Sequence, residues 1–313
     1  MRFHPHDRPI DPGARGAALA LGTFDGVHLG HQAVIASAGR AAARLGGALG
    51  VSVFAPHPRL YFRPDAPPFL IQNRGQMLRA LSAHGVDEAF EIGFDQDLAT
   101  LSADAFAERI LAERIGAAHV SAGFNFNYGY KRGGDVETLR AQGGRLGFGV
   151  EIIEPIESAD LDRPVSSTSI RALIGEGDMA RAARLLGRPW AIEGEVRRGF
   201  QRGRELGFPT ANLGLGDYVR PRFGVYAVNV HVGDGDWRGG VASVGVNPTV
   251  GALEEPVLEA HLFAFDADLY GKTIEVELIA FLREERRFPN LDDLKAQIAR
   301  DAEQAQVILS DAP

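Results

Sequence analysis

Two histidines three residues apart, His28 and His31, follow a short turn, Gly22-Thr23-Phe24-Asp25-Gly26-Val27. The apolar run over residues 17–21 predicts a buried strand, and the Ala-rich pattern to residue 44 predicts a helix from about residue 30. Three-residue spacing puts both imidazoles on one face of the first helical turn. Amide N–H groups at such a helix start lack intrahelical acceptors and carry partial positive charge. Two imidazole donors beside them, with Gly22, Thr23, Phe24 and Asp25 at the strand end, make a pocket for nucleotide phosphates. In isolation the same residues also suit an ordinary strand–turn–helix junction, so the neighbouring segments decide.

Residues 165–171 read Val165-Ser166-Ser167-Thr168-Ser169-Ile170-Arg171. Hydroxyls at that position suit a plain helix cap, and with Arg171 one turn on they also form a phosphate clamp. Residues 123–135 mix aromatics, amides, glycines and two cations. They read either as a surface hairpin with a few buried rings or as a binding loop. In the second case the aromatics stack on a ring, Asn125 offers a donor and an acceptor, and Lys131 and Arg132 meet phosphate. Phe54-Ala55-Pro56-His57-Pro58 sets the chain direction at a strand end through its prolines.

A second constellation is Gly203-Arg204-Glu205-Leu206-Gly207-Phe208-Pro209-Thr210-Ala211-Asn212-Leu213. Its small residues let backbone approach a ligand. Thr210 and Asn212 offer oxygen ligands suited to magnesium and phosphate. No Gly-x-x-x-x-Gly-Lys-(Ser/Thr) loop occurs, so phosphates must be held otherwise, and the basic loop over residues 197–204, with Gly203 and Arg204, is the expected source. Farther on, Glu259 and His261 share one face of an expected strand. A carboxylate on an otherwise apolar strand is either a solvated outward residue or a site residue.

Expected strands over residues 17–21, 48–54, 88–92, 119–122 and 149–153 alternate with helices over 30–44, 74–84, 103–115, 136–146, 169–175 and 179–186. That alternation argues βαβ units and a parallel sheet, with ligands beyond the carboxyl ends of the strands. Residues 61–70 are expected to form a loop over this site. Residues 187–190 read as a linker. Beyond it, segments 191–197, 224–232, 237–246, 258–265 and 273–281 suggest a small antiparallel barrel, followed by a helix over 291–308 with Asn290 as N-cap. A length of 313 residues suits two domains, and the change of pattern after Leu186 divides them as 1–186 and 187–313. The absence of cysteine removes thiolate chemistry and disulfides and fits a cytoplasmic protein. A net charge of −8 argues against nonspecific nucleic-acid binding, and no apolar run suits a membrane span.

The wording of residues 21–31, 165–171 and 203–213 resembles the bacterial bifunctional riboflavin kinase–FMN adenylyltransferase (FAD synthetase) family. The first stretch is similar to its HxGH nucleotidyltransferase signature, the second to its SSTxIR motif, and the third to its GRxLGFPTANL motif. The resemblance implies an N-terminal Rossmann-like α/β domain converting FMN and ATP to FAD and pyrophosphate. It also implies a C-terminal riboflavin kinase-like barrel making FMN from riboflavin and ATP, with Mg2+ as the metal. It further implies that Asn125 helps hold the flavin nucleotide and ATP. Ser167, Thr168 and Arg171 would contact ATP phosphates and, with His28 and His31, bracket the triphosphate. Glu259 would be the general base of the kinase. Ala55 stands where the family often carries an acid, and Asn247 where many members carry arginine. The rival readings are a nucleotidyltransferase for another phosphorylated substrate fused to a flavin-binding barrel, and a non-catalytic flavin-binding regulator.

Overall fold

The computed structural model describes residues 1–156, 165–198, 208–233, 235–246 and 255–310. The chain forms two compact units, Met1–Pro67 with Arg74–Ser166, and Pro68–Asn73 with Ser167–Pro313.

The first unit runs β1 (Arg2–His4), β2 (Ala18–Leu21), α1 (Leu29–Leu45), β3 (Leu49–Ala55), α2 (Pro58–Phe62), α3 (Arg74–Ala83), β4 (Glu88–Gly93), α4 (Gln96–Thr100), α5 (Ala103–Phe106, continuing as a π-helical stretch Ala107–Ile115), β5 (His119–Gly123), α6 (Val136–Leu146) and β6 (Gly149–Ile153). The six strands are parallel, in the order β1-β4-β3-β2-β5-β6. Helices cover both faces of a parallel sheet, which is why β2 is apolar throughout. Ala18 and Ala20 pack on one face with Val34, Ile35 and Val51, whereas Leu19 and Leu21 pack on the other with Leu111, Ile115 and Val120. The edge strand β1 has no apolar alternation to announce it. It is pinned to β4 by side chains instead: His4 Nε2 lies 2.7 Å from the buried Glu88, Arg2 Nε donates to Glu88 at 3.0 Å, and the His4 ring stacks on Phe90.

The second unit contains α7 (Ser167–Glu176), α8 (Met179–Leu186), β7 (Trp190–Glu195), β8 (Ala211–Gly214), β9 (Gly224–Val232), β10 (Arg238–Val246), β11 (Pro256–Leu262), β12 (Thr273–Arg283) and α9 (Leu291–Ser310). Its strands are antiparallel in the order β7-β12-β9-β10-β11-β8. A bridge between Arg197 and Asn212 joins the two ends of that order, so the barrel nearly closes. Alternate residues fill its interior, among them Ile192, Leu213, Tyr226, Val228, Val244, Leu258 and Val276. Asn290 caps α9 as expected, its Oδ1 accepting from Asp293 N at 2.9 Å.

Three expectations change. Helices α7 and α8 belong to the compact unit that holds the barrel, although the sequence grouped them with the first domain. Residues 187–190 are structural parts of that unit and not a linker. Gly187 is the left-handed cap of α8, and Trp190 is buried in the barrel and donates Nε1–H to Ile71 O at 2.7 Å. Residues 61–70 are no single loop. Tyr61 and Phe62 end α2, and Pro68–Asn73 packs in the second unit, with Leu70 bridging to Tyr218 and Asn73 donating to Glu193 at 3.0 Å.

One barrel carboxylate is poised near neutrality. Burial, reinforced by the Glu275 carboxylate, pushes Glu277 on β12 up to about 7, against the pull of an Asn229 hydrogen bond and Arg188. A carboxyl that binds its proton more tightly folded than unfolded contributes most below the ordinary carboxylate range, and that contribution is lost as pH rises through about 7. Glu277→Gln is therefore expected to raise Tm by a few degrees at about pH 8 and hardly at about pH 5. Calorimetry at the two pH values checks this, and an equal effect at both contradicts it.

Candidate functional sites

In the first unit the functional stretch lies beyond the carboxyl end of β2, whose neighbours are β3 and β5. The turn needs unusual backbone: Phe24 and Val27 have φ of 53° and 40°, and Gly26 has φ of 91°. Left-handed conformations cost of order 1–3 kcal/mol each for non-glycine residues. Phe24, 1% exposed, anchors the turn in the core. Ser52 on β3 accepts from Gly22 N at 3.1 Å and donates to Gly22 O at 3.0 Å, which fixes the strand end. Gln32 donates to Val27 O at 2.9 Å.

The product of this geometry is a helix cap made of imidazole. His28 is the N-cap of α1, and its Nδ1 accepts from His31 N at 3.3 Å. With Nδ1 accepting, a neutral His28 ring carries its proton on Nε2. The two rings stack with centroids 3.6 Å apart. Gly30 makes room for them, because a Cβ there would stand 3.1 Å from the His28 ring. The expected pairing of His28 and His31 on one helical face is therefore met, and Gly22, Thr23, Phe24 and Asp25 form the turn beside it. Asp25 is buried.

Two further segments lie at carboxyl ends of neighbouring strands. Asn125 follows β5 and is exposed. Its loop is held by Phe124 N donating to Ile153 O and Phe126 N donating to Gly123 O, both at 2.9 Å. Beneath it Tyr128 is 6% exposed, stacked on Phe126. Burial pushes its hydroxyl up to about 12, with Asp104 and Asp135 adding to the shift. At the ends of β3 and β4, four rings meet edge to face: Phe94 lies 6.1 Å from Phe54, 5.3 Å from Tyr61 and 5.5 Å from Phe62. Phe62 is 62% exposed. Sequence reading assigned these rings no role. They are scattered over residues 54–94, and only the adjacency of β3 and β4 gathers them. His57, in contrast, caps α2 through Arg59 N at 3.1 Å.

Ser167 and Thr168 open α7, in the second unit. Arg171 Nε donates to Phe69 O at 2.7 Å, and its guanidinium lies over the Phe69 ring.

The barrel carries its own site. A cavity of about 400 Å3 is lined by Val196, Thr210, Asn212, Leu262, Asp268 and Tyr270, among others. The motif stretch ends as strand β8, which sequence reading treated only as a motif. Asn212 on β8 is the cross-strand partner of Glu259 on β11, and Ser243 on β10 is the partner on the other side. Directly opposed residues project to the same face, so Glu259, Asn212 and Ser243 share the outer surface of the barrel. The burial pattern agrees: Leu258 and Ala260 are fully buried, and Glu259 between them is not. His261 has a supporting part, since its Nδ1 meets Pro209 O at 3.0 Å and its ring packs on Phe208. Arg198 lies over the Tyr270 ring at 5.5 Å. Gly203, Arg204 and Asn247 lie outside the described residues.

Thr210 and Asn212 suit a hard divalent cation in the character of their donors. They offer a hydroxyl and an amide oxygen, and Asn212 turns its Nδ2 toward Thr210 O at 3.4 Å. Among the described residues, no cluster of three or more His, Cys, Asp or Glu forms a metal cage. A cation held by these two donors would need further oxygen ligands to complete its shell. Among the described residues, no helix is long and apolar enough to cross a membrane.

Comparison with known proteins matches this geometry from end to end. A family model for FAD synthetase matches residues 11–169, and one for riboflavin kinase matches residues 186–309. The chain is 39% identical over 297 residues to the bifunctional riboflavin kinase/FMN adenylyltransferase of Haemophilus influenzae, covering 95% of each chain. It is 36% identical to that of Bacillus subtilis, covering 96% of this chain and 95% of the relative. A crystal structure described as a macrolide-efflux protein from Streptococcus pneumoniae superposes with a TM-score of 0.87 at 31% identity, over 98% of this chain and 99% of that one. The fold of the α/β unit and of the barrel with its terminal helix thus recurs in that crystal structure. By these matches the chain belongs to the bifunctional riboflavin kinase/FMN adenylyltransferase family.

Proposed function

We propose that this chain makes FAD in two steps, phosphorylating riboflavin to FMN and then adenylylating FMN, with ATP as co-substrate of both. The observation that carries the reading is the placement of Glu259 opposite Asn212, which lines a cavity of about 400 Å3, in a chain whose other unit caps a helix with His28. The catalytic division proposed is residues 1–186 for adenylyl transfer and 187–313 for the kinase, in agreement with the order of the family matches. A cytoplasmic location accompanies it, because both steps consume ATP.

In the kinase step the riboflavin 5′-hydroxyl attacks the γ-phosphorus of ATP, its proton passes to Glu259, and ADP departs. Thr210 and Asn212 would hold Mg2+, which supplies charge neutralisation on the phosphates when bound. Asn212 and Glu259 face each other across adjacent strands, so the residue that would help hold the cation and the residue that would take the proton share one surface.

In the adenylyl step an FMN phosphate oxygen attacks the α-phosphorus of ATP, and the bond to pyrophosphate breaks. The nucleophile is already anionic, so no strong base is required. The difficulty is bringing two anions together, and fixed donors meet it. The His28 Nε2–H, His31, the amides that open α1 and the turn over residues 22–25 would serve the triphosphate, as would Ser167, Thr168 and Arg171. Gly203 and Arg204 would serve the phosphates of the kinase step. Asn125 would bind the flavin nucleotide. The exposed cluster around Phe62 offers the isoalloxazine an apolar, edge-to-face surface.

Three variants test these roles with separate assays of FMN and FAD formation. Glu259→Gln is expected to lower FMN formation at least about a hundredfold and leave FMN-to-FAD conversion intact; loss of both in a folded protein contradicts the assignment. His28→Asn retains a capable N-cap but removes the imidazole, and FAD formation should fall by about a hundredfold with Tm nearly unchanged. Near-normal FAD synthesis would count against the phosphate role. Gly30→Ala pushes a methyl against the His28 ring, and an intermediate loss of FAD formation, about tenfold, is expected while riboflavin phosphorylation continues.

A further inference from the structure

The loop between β11 and β12 forms one wall of the barrel cavity, with Phe265 and Tyr270 among its lining residues. This loop is fastened to the barrel at both ends. Phe263 N donates to Gly239 O at 2.9 Å, near the start of β10. Gly271 N donates to Val196 O at 3.0 Å, and Val196 N donates to Lys272 O at 2.9 Å, just past the end of β7. Between the fastenings the backbone is tight. Ala264 has φ of 50°, and the Asp268 carboxylate accepts from Tyr270 N at 3.0 Å.

Beside each fastening an exposed arginine lies over a half-buried ring of the wall. Arg238, next to Gly239, has its Cζ 5.6 Å from the centre of the Phe265 ring. Arg198, two residues after Val196, lies 5.5 Å from the centre of the Tyr270 ring. A guanidinium over an aromatic face is attracted to it and restrains the ring. Phe265 and Tyr270 thus each meet an arginine on one side and line the cavity on another. Charge decides which part of a nucleotide this wall suits. Asp266 and Asp268 line the same stretch, and carboxylates repel phosphate oxygens. A flat, uncharged base packs well on aromatic rings. The phosphates then belong with Thr210 and Asn212, on the β8 side of the cavity.

We propose that Arg238 is a positioning residue for the base of ATP in the kinase step, holding Phe265 in the cavity wall as Arg198 holds Tyr270. The inference rests on the barrel being the kinase. Arg238 acts through the ring and takes no part in the chemistry, so its loss weakens capture of the nucleotide and spares phosphoryl transfer once ATP is bound. No motif marks this residue. It sits at the start of β10, and only the pairing of β10 with β11 brings it to the loop that carries Phe265.

The test is the kinetics of FMN formation by the full chain, with adenosine as a competitor of ATP that carries base and sugar but no phosphate. Arg238→Ala is expected to raise KM for ATP about tenfold, with kcat and the riboflavin KM within about twofold of the wild type. The inhibition constant of adenosine should rise by the same factor. Arg238→Lys keeps a cation over the ring and should recover most of the loss. In a Phe265→Ala background, Arg238→Ala should add nothing further. The ATP KM of FMN-to-FAD conversion should stay unchanged. An unaltered KM for ATP in Arg238→Ala overturns the proposal. So does a raised KM with an unmoved adenosine constant, which would put Arg238 on the phosphates instead. Wild-type protein that forms no FMN overturns the kinase reading itself, whereas wild-type turnover with an unaffected variant removes only the part given to Arg238.

Discussion

The hydrogen bond from the His31 amide to the His28 ring organises the first site. A helix start needs a side-chain acceptor, and serine, threonine, aspartate or asparagine usually supplies it. Here an imidazole does so, and the choice has consequences on both sides. It spends Nδ1 on the helix and leaves Nε2 as the donor. It also fixes the ring against His31 at 3.6 Å, where two cationic rings would repel. An anion beside them would relieve that cost, which is the physical basis of the phosphate role proposed for the pair.

The cap exists only because the sheet tolerates a strained turn. Phe24 and Val27 sit at positive φ, at roughly 1–3 kcal/mol each. Burying a phenylalanine contributes about 1.5–3 kcal/mol, and the Ser52 hydrogen bonds add to it. Strain at the strand end is thus offset by the core directly beneath it. The barrel places its residues by other means. Its antiparallel register alone sets Glu259 against Asn212, and a slip of β11 by one residue would turn Glu259 to the other face. One unit uses local backbone geometry to place its donors, the other uses long-range pairing.

That difference explains what could be read from the sequence. The His28–His31 spacing, the glycine-bearing turn and the helical period of residues 30–44 are local, so the site on α1 was legible before any fold was known. The β-α alternation and the barrel hairpins were legible for the same reason. Strand β1 was not, because His4 and Arg2 hold it through Glu88 and no apolar pattern marks it. Strand β8 was hidden inside a glycine- and proline-bearing motif. The grouping of α7, α8 and Pro68–Asn73 with the barrel depends on contacts such as Trp190 to Ile71, which no spacing rule encodes. The ring cluster around Phe94 has no local signature for the same reason: it joins residues far apart in sequence.

On this reading, two ATP-directed sites of the chain act in series on one flavin. Supplying riboflavin with ATP labelled at either the γ- or the α-phosphorus tests it most directly. FMN is expected to take up only the γ label, and FAD to carry γ-derived phosphate on its riboflavin side and α-derived phosphate on its adenosine side. FAD lacking either label, or flavin that takes up neither, would contradict it.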